Sequence, residues 1–384
     1  MSASEELKKG NSMREWDDRF NPFNSDKGLV HAKLFEAILA EQYLPPAVVN
    51  LDVSGACQYA CPHCHHRRKQ IKSRSMPMLD ERLARTFPEF VAGWSVDGQR
   101  PRGCCIVGSQ GDALLYPHLP KLLKDLHYNS VDIGLVSNGY GYDDRLIDFA
   151  AHYCKFVGFS MDSGNKETYD LVHKPPPDGW EKVTGNIERL TAVINRNGLR
   201  NDVGFKYLIL PQSWHTLYDA CKLAKDLGCR YIQIRPADLP PEARAFIDIE
   251  KVNESIDKAM DDFNEPGKFE IAGVRHKFNP DFTRVLPNYC WLTPLTVTIT
   301  SDGRVWPCVD RRWDAETALA DCAAGGGWAA LKDVWGSARH VTIIHKIINN
   351  GGEGPSCQIR CSNYGYDKLF KRVFYNDDMD RLLI

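Results

Sequence analysis

The stretch Cys57-Gln-Tyr-Ala-Cys61-Pro-His-Cys64 places three thiols in one short loop directly after the apolar run Val48–Val53. Cysteines packed this closely cannot all turn into a core, so they converge on a common partner. Thiolates hold iron–sulfur clusters, and a cubane takes four ligands. Three ligands from the protein leave one iron for an exchangeable small molecule. Structural zinc favours four ligands in two separated pairs; His63, His65 or His66 could complete such a site, and zinc stands as the alternative. A second, looser set of thiols follows late in the chain: Cys290, Cys308, Cys322, Cys357 and Cys361.

With 48 Lys and Arg against 50 Asp and Glu, the net charge of −2 gives no field to gather polyanions, and nucleic acid is disfavoured as a partner. The basic run His65-His66-Arg67-Arg68-Lys69 reads as a solvated face before it reads as a phosphate patch. The first twenty residues are polar, with no apolar leader segment, and no stretch reaches the ~18 apolar residues of a membrane span. A cytoplasmic location is expected. Thirteen cysteines in a long chain without a leader argue for metal or redox use over a disulfide framework.

Positioning the first cysteine loop is the work of an alternating pattern. Apolar β-rich runs at 48–53, 104–107, 132–136, 156–161, 203–210 and 231–235 alternate with helical periodicity at 79–94, 118–126, 143–152, 180–196, 214–227 and 249–263. Six β/α repeats predict a parallel sheet curved into a partial (β/α)6, TIM-like barrel over residues 47–264, preceded by a lead-in over 1–46. A small α+β domain over 265–384 should follow, with a hairpin over 295–306 turning at Ser301-Asp302-Gly303. Parallel α/β folds carry reactive groups at the carboxyl ends of their strands. The cysteine loop belongs to that end, together with Gly108, Gln110, Gly111 and Asp112 after the second strand, Ser137 and Asn138 after the third, and Ser160 and Asp162 at the fourth. Taken singly, Ser137-Asn138 is an ordinary turn, Asp162 a helix cap and Lys206 a solvated lysine; it is their order along successive strands that groups them.

These motifs resemble the radical S-adenosylmethionine (SAM) superfamily, whose fingerprint is a Cys-x3-Cys-x2-Cys loop after the first strand of a partial (β/α)6 barrel. The resemblance implies a [4Fe–4S] cluster on Cys57, Cys61 and Cys64, with SAM on the open iron and reductive cleavage to a 5′-deoxyadenosyl radical that abstracts a substrate hydrogen. It further implies a reductant such as flavodoxin or ferredoxin. The segment Gly108-Ser-Gln110-Gly111-Asp112 is similar to the family's glycine-rich segment at the methionine amine, with Asp and Ala where the family often has Glu and Pro. Ser137-Asn138-Gly139 and Ser160-Met-Asp162 resemble segments that approach ribose and methionine. Lys206 stands where a carboxylate partner would, and His63 where a side chain packs on adenine.

Cys290, Gly303 and Cys308 resemble the opening of the superfamily's SPASM and twitch domains. That implies a second, auxiliary [4Fe–4S] cluster held by Cys290, Cys308, Cys357 and Cys361, with Cys322 a substitute for one of them and a four-thiol zinc site the alternative. Cys104, Cys105, Cys154, Cys221 and Cys229 fall within strand or helix patterns and read as small buried side chains, or in one case as a hydrogen-atom donor. The expected function is radical oxidation, elimination or epimerisation of a small polar metabolite such as a sugar, aminocyclitol or nucleoside. Modification of a ribosomally made peptide is the alternative, disfavoured because the N-terminal arm is too short for a recognition module. An iron–sulfur electron-transfer or sensing protein would need no open iron.

Overall fold

The structure, a computed structural model, describes residues 30–64, 77–107, 111–237, 239–273, 293–312 and 314–349. A helix, α1 (Ala32–Leu39), leads into the first repeat, β1 (Val48–Leu51) and α2 (Glu81–Gly93). Then come β2 (Gly103–Val107), α3 (Leu119–Tyr128), β3 (Asp132–Ser137), α4 (Asp144–Tyr153) and β4 (Cys154–Ser160). Two helices, α5 (Lys166–His173) and α6 (Gly179–Arg196), precede β5 (Asp202–Ile209). The series continues through α7 (Leu217–Asp226), β6 (Tyr231–Pro236), α8 (Ile249–Phe263) and β7 (Glu270–Gly273). The later part contributes β8 (Thr296–Ile299), β9 (Arg304–Trp306), β10 (Ala320–Asp321), α9 (Trp328–Val334) and α10 (Ala338–Asn349).

All described strands form one open sheet in the order β10-β9-β8-β1-β2-β3-β4-β5-β6-β7. From β8 through β7 every neighbouring pair is parallel, and β9 and β10 are antiparallel. The six strands and six crossover helices expected from periodicity are present, with ends within three residues. Three features differ. A seventh parallel strand, β7, follows α8; its four residues are too few to show a period. The short helix α5 sits beside α6. The expected hairpin forms, but its first strand lies parallel to β1, with Leu51 opposite Ile299 and the Asp52 N–H donating to the Ile299 carbonyl at 2.9 Å.

Side chains of a strand alternate between faces. Val49, Leu51, Cys104, Ile106, Ile133, Leu135, Val157, Val203, Phe205 and Ile232 join the apolar cluster formed with the helices, through Leu83, Phe87, Leu122, Ile147, Val183, Ile187 and Leu190. The opposite, inner face therefore carries Asp52, Cys105, Phe156, Ser160, Lys206, Tyr231, Gln233 and Arg235. Carboxylate and amide caps start the helices: Asp80 accepts from the Leu83 N–H at 3.2 Å, Asp143 from Leu146 at 2.7 Å and Asn165 from Thr168 at 2.9 Å. No helix among the described residues is long and apolar enough to cross a membrane.

Candidate iron–sulfur and cofactor site

The cysteine loop leaves β1 at the carboxyl end of the sheet. Its thiols are free, with Cys57 exposed and Cys61 and Cys64 half-buried. Nitrogen groups gather around two of the sulfurs. Cys57 Sγ accepts from the Tyr59 N–H at 3.5 Å and from Asn138 Nδ2 at 3.7 Å, while Asn138 Oδ1 takes Gln58 Nε2 at 3.3 Å. Although Cys57 keeps an exposed edge, desolvation of its sulfur by the surrounding loops pushes the thiol up to about 11, against the pull of the Tyr59 N–H, and burial with the neighbouring Cys57 and Cys64 sulfurs pushes Cys61 well above the ordinary thiol range. Such sulfurs are poor free thiolates and gain their charge when a metal takes them.

The loop after β2 is stitched to this one by backbone contact. A Cβ on Gly111 would lie 2.3 Å from the Ala56 carbonyl oxygen and 2.6 Å from both the Ala56 nitrogen and the Ser54 carbonyl oxygen, so only glycine fits. The next residue, Asp112, donates its N–H to the Ala56 carbonyl at 2.7 Å. Its buried carboxylate accepts from Leu114 N–H at 3.0 Å and Asn138 N–H at 2.8 Å. Burial raises that carboxyl to about 6 although both N–H groups favour the anion. Asp112 thus ties the loops after β1, β2 and β3 together. Ser137, buried beside it, accepts from the Gly139 N–H at 3.1 Å. Gly108 and Gln110 lie outside the described residues.

The loop after β4 supplies Asp162, a buried residue with φ +50°, in the left-handed region that costs a non-glycine residue energy. Its carboxylate accepts the Leu208 N–H at 2.7 Å and faces His63 Nε2 at 3.4 Å and His173 Nε2 at 3.6 Å. Burial alone would raise this carboxyl; the His63 hydrogen bond, the His charges and the Leu208 N–H hold it below the usual carboxylate range. His63, expected to face adenine, is thus anchored to Asp162.

His173, at the end of α5, drew no attention in the sequence. Its Nε2 lies 2.9 Å from the Met161 carbonyl oxygen and its Nδ1 3.3 Å from Cys61 Sγ, while its own carbonyl accepts the Ala60 N–H at 3.2 Å. Tyr59 and Tyr169 share a hydroxyl contact at 2.7 Å, so α5 is docked on the cysteine loop at three points. Burial drives the His173 imidazole down to about 4. Ligand atoms of Cys61, His63 and His173 fall within 4.8 Å of one another.

Below this end, the inner face holds a charged floor. Lys206 Nζ donates to the Tyr231 hydroxyl at 2.9 Å and Gln233 Oε1 at 3.3 Å, and lies 4.6 Å from the centre of the Tyr231 ring. Its stem crosses Gly158, where a Cβ would sit 2.9 Å from Lys206 Cε, and the Tyr231 ring covers Gly204 in the same way. Tyr231 opens β6 opposite Gly204, two residues before Lys206, so the ammonium lies on the side away from the cysteine loop. Ser160, half-buried, lies opposite Lys206 in the register. Asp52, just past β1, pairs with Arg312 at 3.2 Å, both side chains under one-tenth exposed. Cys105, unlike Cys104, Cys154, Cys221 and Cys229, lies outside the apolar cluster and is pushed up to about 11 by burial, with Lys206 lowering it and Asp52 raising it.

Of the second cysteine set, Cys308 is buried and its Sγ accepts the Asp310 N–H at 3.4 Å; Cys322 is packed in the main apolar cluster with Leu83 and Leu331. Cys290, Cys357 and Cys361 lie outside the described residues.

Three free thiols at the carboxyl end of β1, one of them met by N–H donors, with a neighbouring loop in backbone contact, form a donor set that suits an iron–sulfur cluster. Comparison bears on the same segment: residues 51–224 match the radical SAM superfamily, so the chain carries a radical SAM domain. That domain makes the chain an enzyme, for which SAM and a [4Fe–4S] cluster are the expected cofactors. The fold is similar to that of Streptococcus suis SuiB bound to S-adenosylmethionine, with TM-score 0.57 and 13% identity over 82% of this chain and 70% of that one. SuiB bound to precursor peptide SuiA gives TM-score 0.57 and 13% identity over 90% and 78%. Native anSMEcpe with bound AdoMet gives TM-score 0.55 and 15% identity over 85% and 97%. No curated protein sequence matches the chain.

Proposed function

We propose that Cys57, Cys61 and Cys64 hold the cluster and that the enzyme abstracts hydrogen from a small polar metabolite, such as a sugar, aminocyclitol or nucleoside, for oxidation, elimination or epimerisation. When bound with SAM and given an electron, by flavodoxin or ferredoxin for example, the cluster supplies the reductive cleavage that yields methionine and the 5′-deoxyadenosyl radical. The chain's own residues position and shield. Gly111 brings the loop after β2 against the cysteine loop, where Asp112 and Asn138 fix the rim; Ser137, Ser160, Gly108 and Gln110 complete the SAM-facing set, with His63 toward the adenine.

The observation that supports a polar substrate is the inner face: Asp52 with Arg312, and Lys206 with Tyr231 and Gln233, place charge where an apolar substrate would need none. Lys206 serves as a carboxylate partner once its ammonium turns from Tyr231 toward the cysteine loop. Residues 265–384 form an auxiliary-cluster domain in which Cys290, Cys308, Cys357 and Cys361 hold a second [4Fe–4S] cluster. Cys308, buried and sulfur-bonded to an N–H after the hairpin, supports this; the packing of Cys322 in the apolar cluster argues for the other four.

A test is deuterium transfer: the anaerobically reconstituted enzyme is incubated with SAM, dithionite and perdeuterated candidate metabolites, and label is sought in 5′-deoxyadenosine. Transfer from a metabolite supports the reading. The peptide alternative is favoured by the similarity to SuiB in complex with SuiA; label arriving only from a peptide would replace the first reading with it.

A further inference from the structure

We infer that Asn138 is a positioning residue for the cluster: its side-chain amide donates to the Cys57 sulfur, holding the thiolate in place and making the cluster easier to reduce. The inference concerns how the cluster is held and does not depend on the substrate. It does rest on the reading that Cys57, Cys61 and Cys64 are the ligands.

The orientation of the amide is fixed by a backbone group. The Tyr140 N–H only donates, so the Asn138 atom facing it at 2.9 Å is the oxygen. That leaves Nδ2 toward Cys57 Sγ at 3.7 Å, a length that the larger radius of sulfur accommodates. An amide nitrogen gives hydrogens and accepts none, so a thiolate there meets a donor and the bond is charge-assisted. Gln58, next to Cys57 in the chain, donates from Nε2 into the same Asn138 oxygen at 3.3 Å. Two donors on one carbonyl polarise the amide and strengthen its own N–H groups as donors. The backbone is held as firmly: Asn138 N–H donates to Asp112 Oδ2 at 2.8 Å, and Asp112 N–H donates at 2.7 Å to the carbonyl of Ala56, the residue before Cys57. Asn138 is 8% exposed, so little water competes for the contact. With the Tyr59 N–H at 3.5 Å, Cys57 Sγ receives two N–H groups.

A turn alone would not call for asparagine. A side-chain oxygen accepting the N–H two residues on is an Asx-turn, which aspartate makes as well and serine makes more weakly. An ionised aspartate has no hydrogen to give the sulfur, and the serine hydroxyl stops one bond short of the amide nitrogen. Hydrogen bonds to the sulfurs are among the factors that set the reduction potential of an iron–sulfur cluster. An added electron places more negative charge on the sulfurs, so a donor stabilises the reduced cluster more than the oxidised one. Withdrawing the Asn138 amide therefore makes the electron harder to add.

The test compares wild type with Asn138→Ser, which keeps a turn-forming oxygen, adds no charge and withdraws the donor. Each protein is reconstituted anaerobically, and circular dichroism and iron content establish equal fold and loading. A redox titration read by electron paramagnetic resonance (EPR) gives the midpoint of the cluster whose signal responds to added SAM. We expect the reduction equilibrium of that cluster to be at least about threefold less favourable in Asn138→Ser, a midpoint roughly 30 mV more negative for a one-electron couple. A wild-type midpoint in a folded, loaded Asn138→Ser protein overturns the inference, because serine would then have replaced everything that asparagine does there. Should that variant not fold or load, the wild type decides: with nitrogen-15 in its asparagine side-chain amides, pulsed EPR of the reduced cluster should show a nitrogen-15 coupling carried through the bond to sulfur, and its absence overturns the inference. A wild-type protein that takes up no iron would instead overturn the ligand assignment, and so would iron uptake unaffected by Cys57→Ala.

Discussion

Replacing Gly111 by alanine tests whether the loops after β1 and β2 must touch. The added carbon would stand 2.3 Å from one backbone oxygen and 2.6 Å from two further backbone atoms, all belonging to Ser54 and Ala56. Ordinary contact needs roughly 3.4 Å, so one backbone must retreat by about 1 Å, and no flexible side chain is there to absorb it. The retreat stretches the 2.7 Å hydrogen bond from Asp112 N–H to the Ala56 carbonyl and shifts the carboxylate that serves Leu114 and Asn138. Overpacking of about 1–3 kcal/mol and one weakened hydrogen bond of about 1 kcal/mol sum to a loss of roughly 2–4 kcal/mol. A displacement near 1 Å at reacting groups also costs on the order of 100-fold in rate. The assays are anaerobic urea denaturation and dithionite-driven 5′-deoxyadenosine formation. Gly185, within α6 and with nothing inside 4 Å, is the control; Gly185→Ala should be neutral or stabilise by up to about 1 kcal/mol. A Gly111→Ala protein with wild-type midpoint and turnover would refute the close-approach argument.

Alanine at Cys57, Cys61 or Cys64 should abolish reductive SAM cleavage, read as 5′-deoxyadenosine by chromatography; retained cleavage would remove the ligand assignment. Reconstituted protein should hold about eight irons if the auxiliary cluster exists and about four if it does not, and Cys308→Ala should then keep about four and some SAM cleavage. Arg312→Ala strands the buried Asp52 carboxylate and should cost about 3–5 kcal/mol, partly recovered in Asp52→Asn/Arg312→Ala, as judged by urea midpoints. The fourth outcome concerns pH. His340 is buried against Trp335 and Tyr43, accepts the Gly336 N–H at 3.0 Å, and is pushed down to about 4 by burial. Between about pH 6.5 and 4 the unfolded chain takes a proton that the folded one refuses, so its contribution is complete above 6.5 and declines as pH falls, by at most ~3 kcal/mol. Stability measured from pH 7 to 5 should fall less in His340→Gln than in wild type.

Local pattern carried most of the architecture. The runs that became β1 to β6 are β-branched or aromatic, bounded by turn residues, and each helix between them shows its apolar stripe and often an Asp cap, as at Asp80 and Asp248. What failed to show was either short or distant. Helix α5 spans eight residues between the Asn165 cap and Lys174, which itself adopts φ +46° ahead of three prolines; the cap was the available signal. The pairing of β8 with β1 joins segments from opposite ends of the chain, and periodicity is silent about partners. In the site, spacing singled out the three thiols because proximity in sequence was itself the clue. His173 reaches Cys61 across 112 positions. A lone histidine at a helix end carries no mark of such a contact. The ammonium of Lys206 bends toward Tyr231 because Gly158 and Gly204 leave room on that side, a packing fact written in β4, β5 and β6 together.

The parallel seam between β1 and β8 has a consequence for the order of events during synthesis. Roughly 250 residues separate Val48 from Thr296, and at about 5–20 residues per second the ribosome needs on the order of 10–50 s to deliver the second after the first. Through that interval β1 is an edge strand with an unpaired rim, and the loop carrying the three thiols hangs from its end. Nascent chains arrested before Thr296 should therefore react at these cysteines with a thiol-specific reagent more readily than full-length apoprotein does. Closing of the seam pairs that rim, from the Ala47 N–H on the Leu295 carbonyl to the Asp52 N–H on the Ile299 carbonyl.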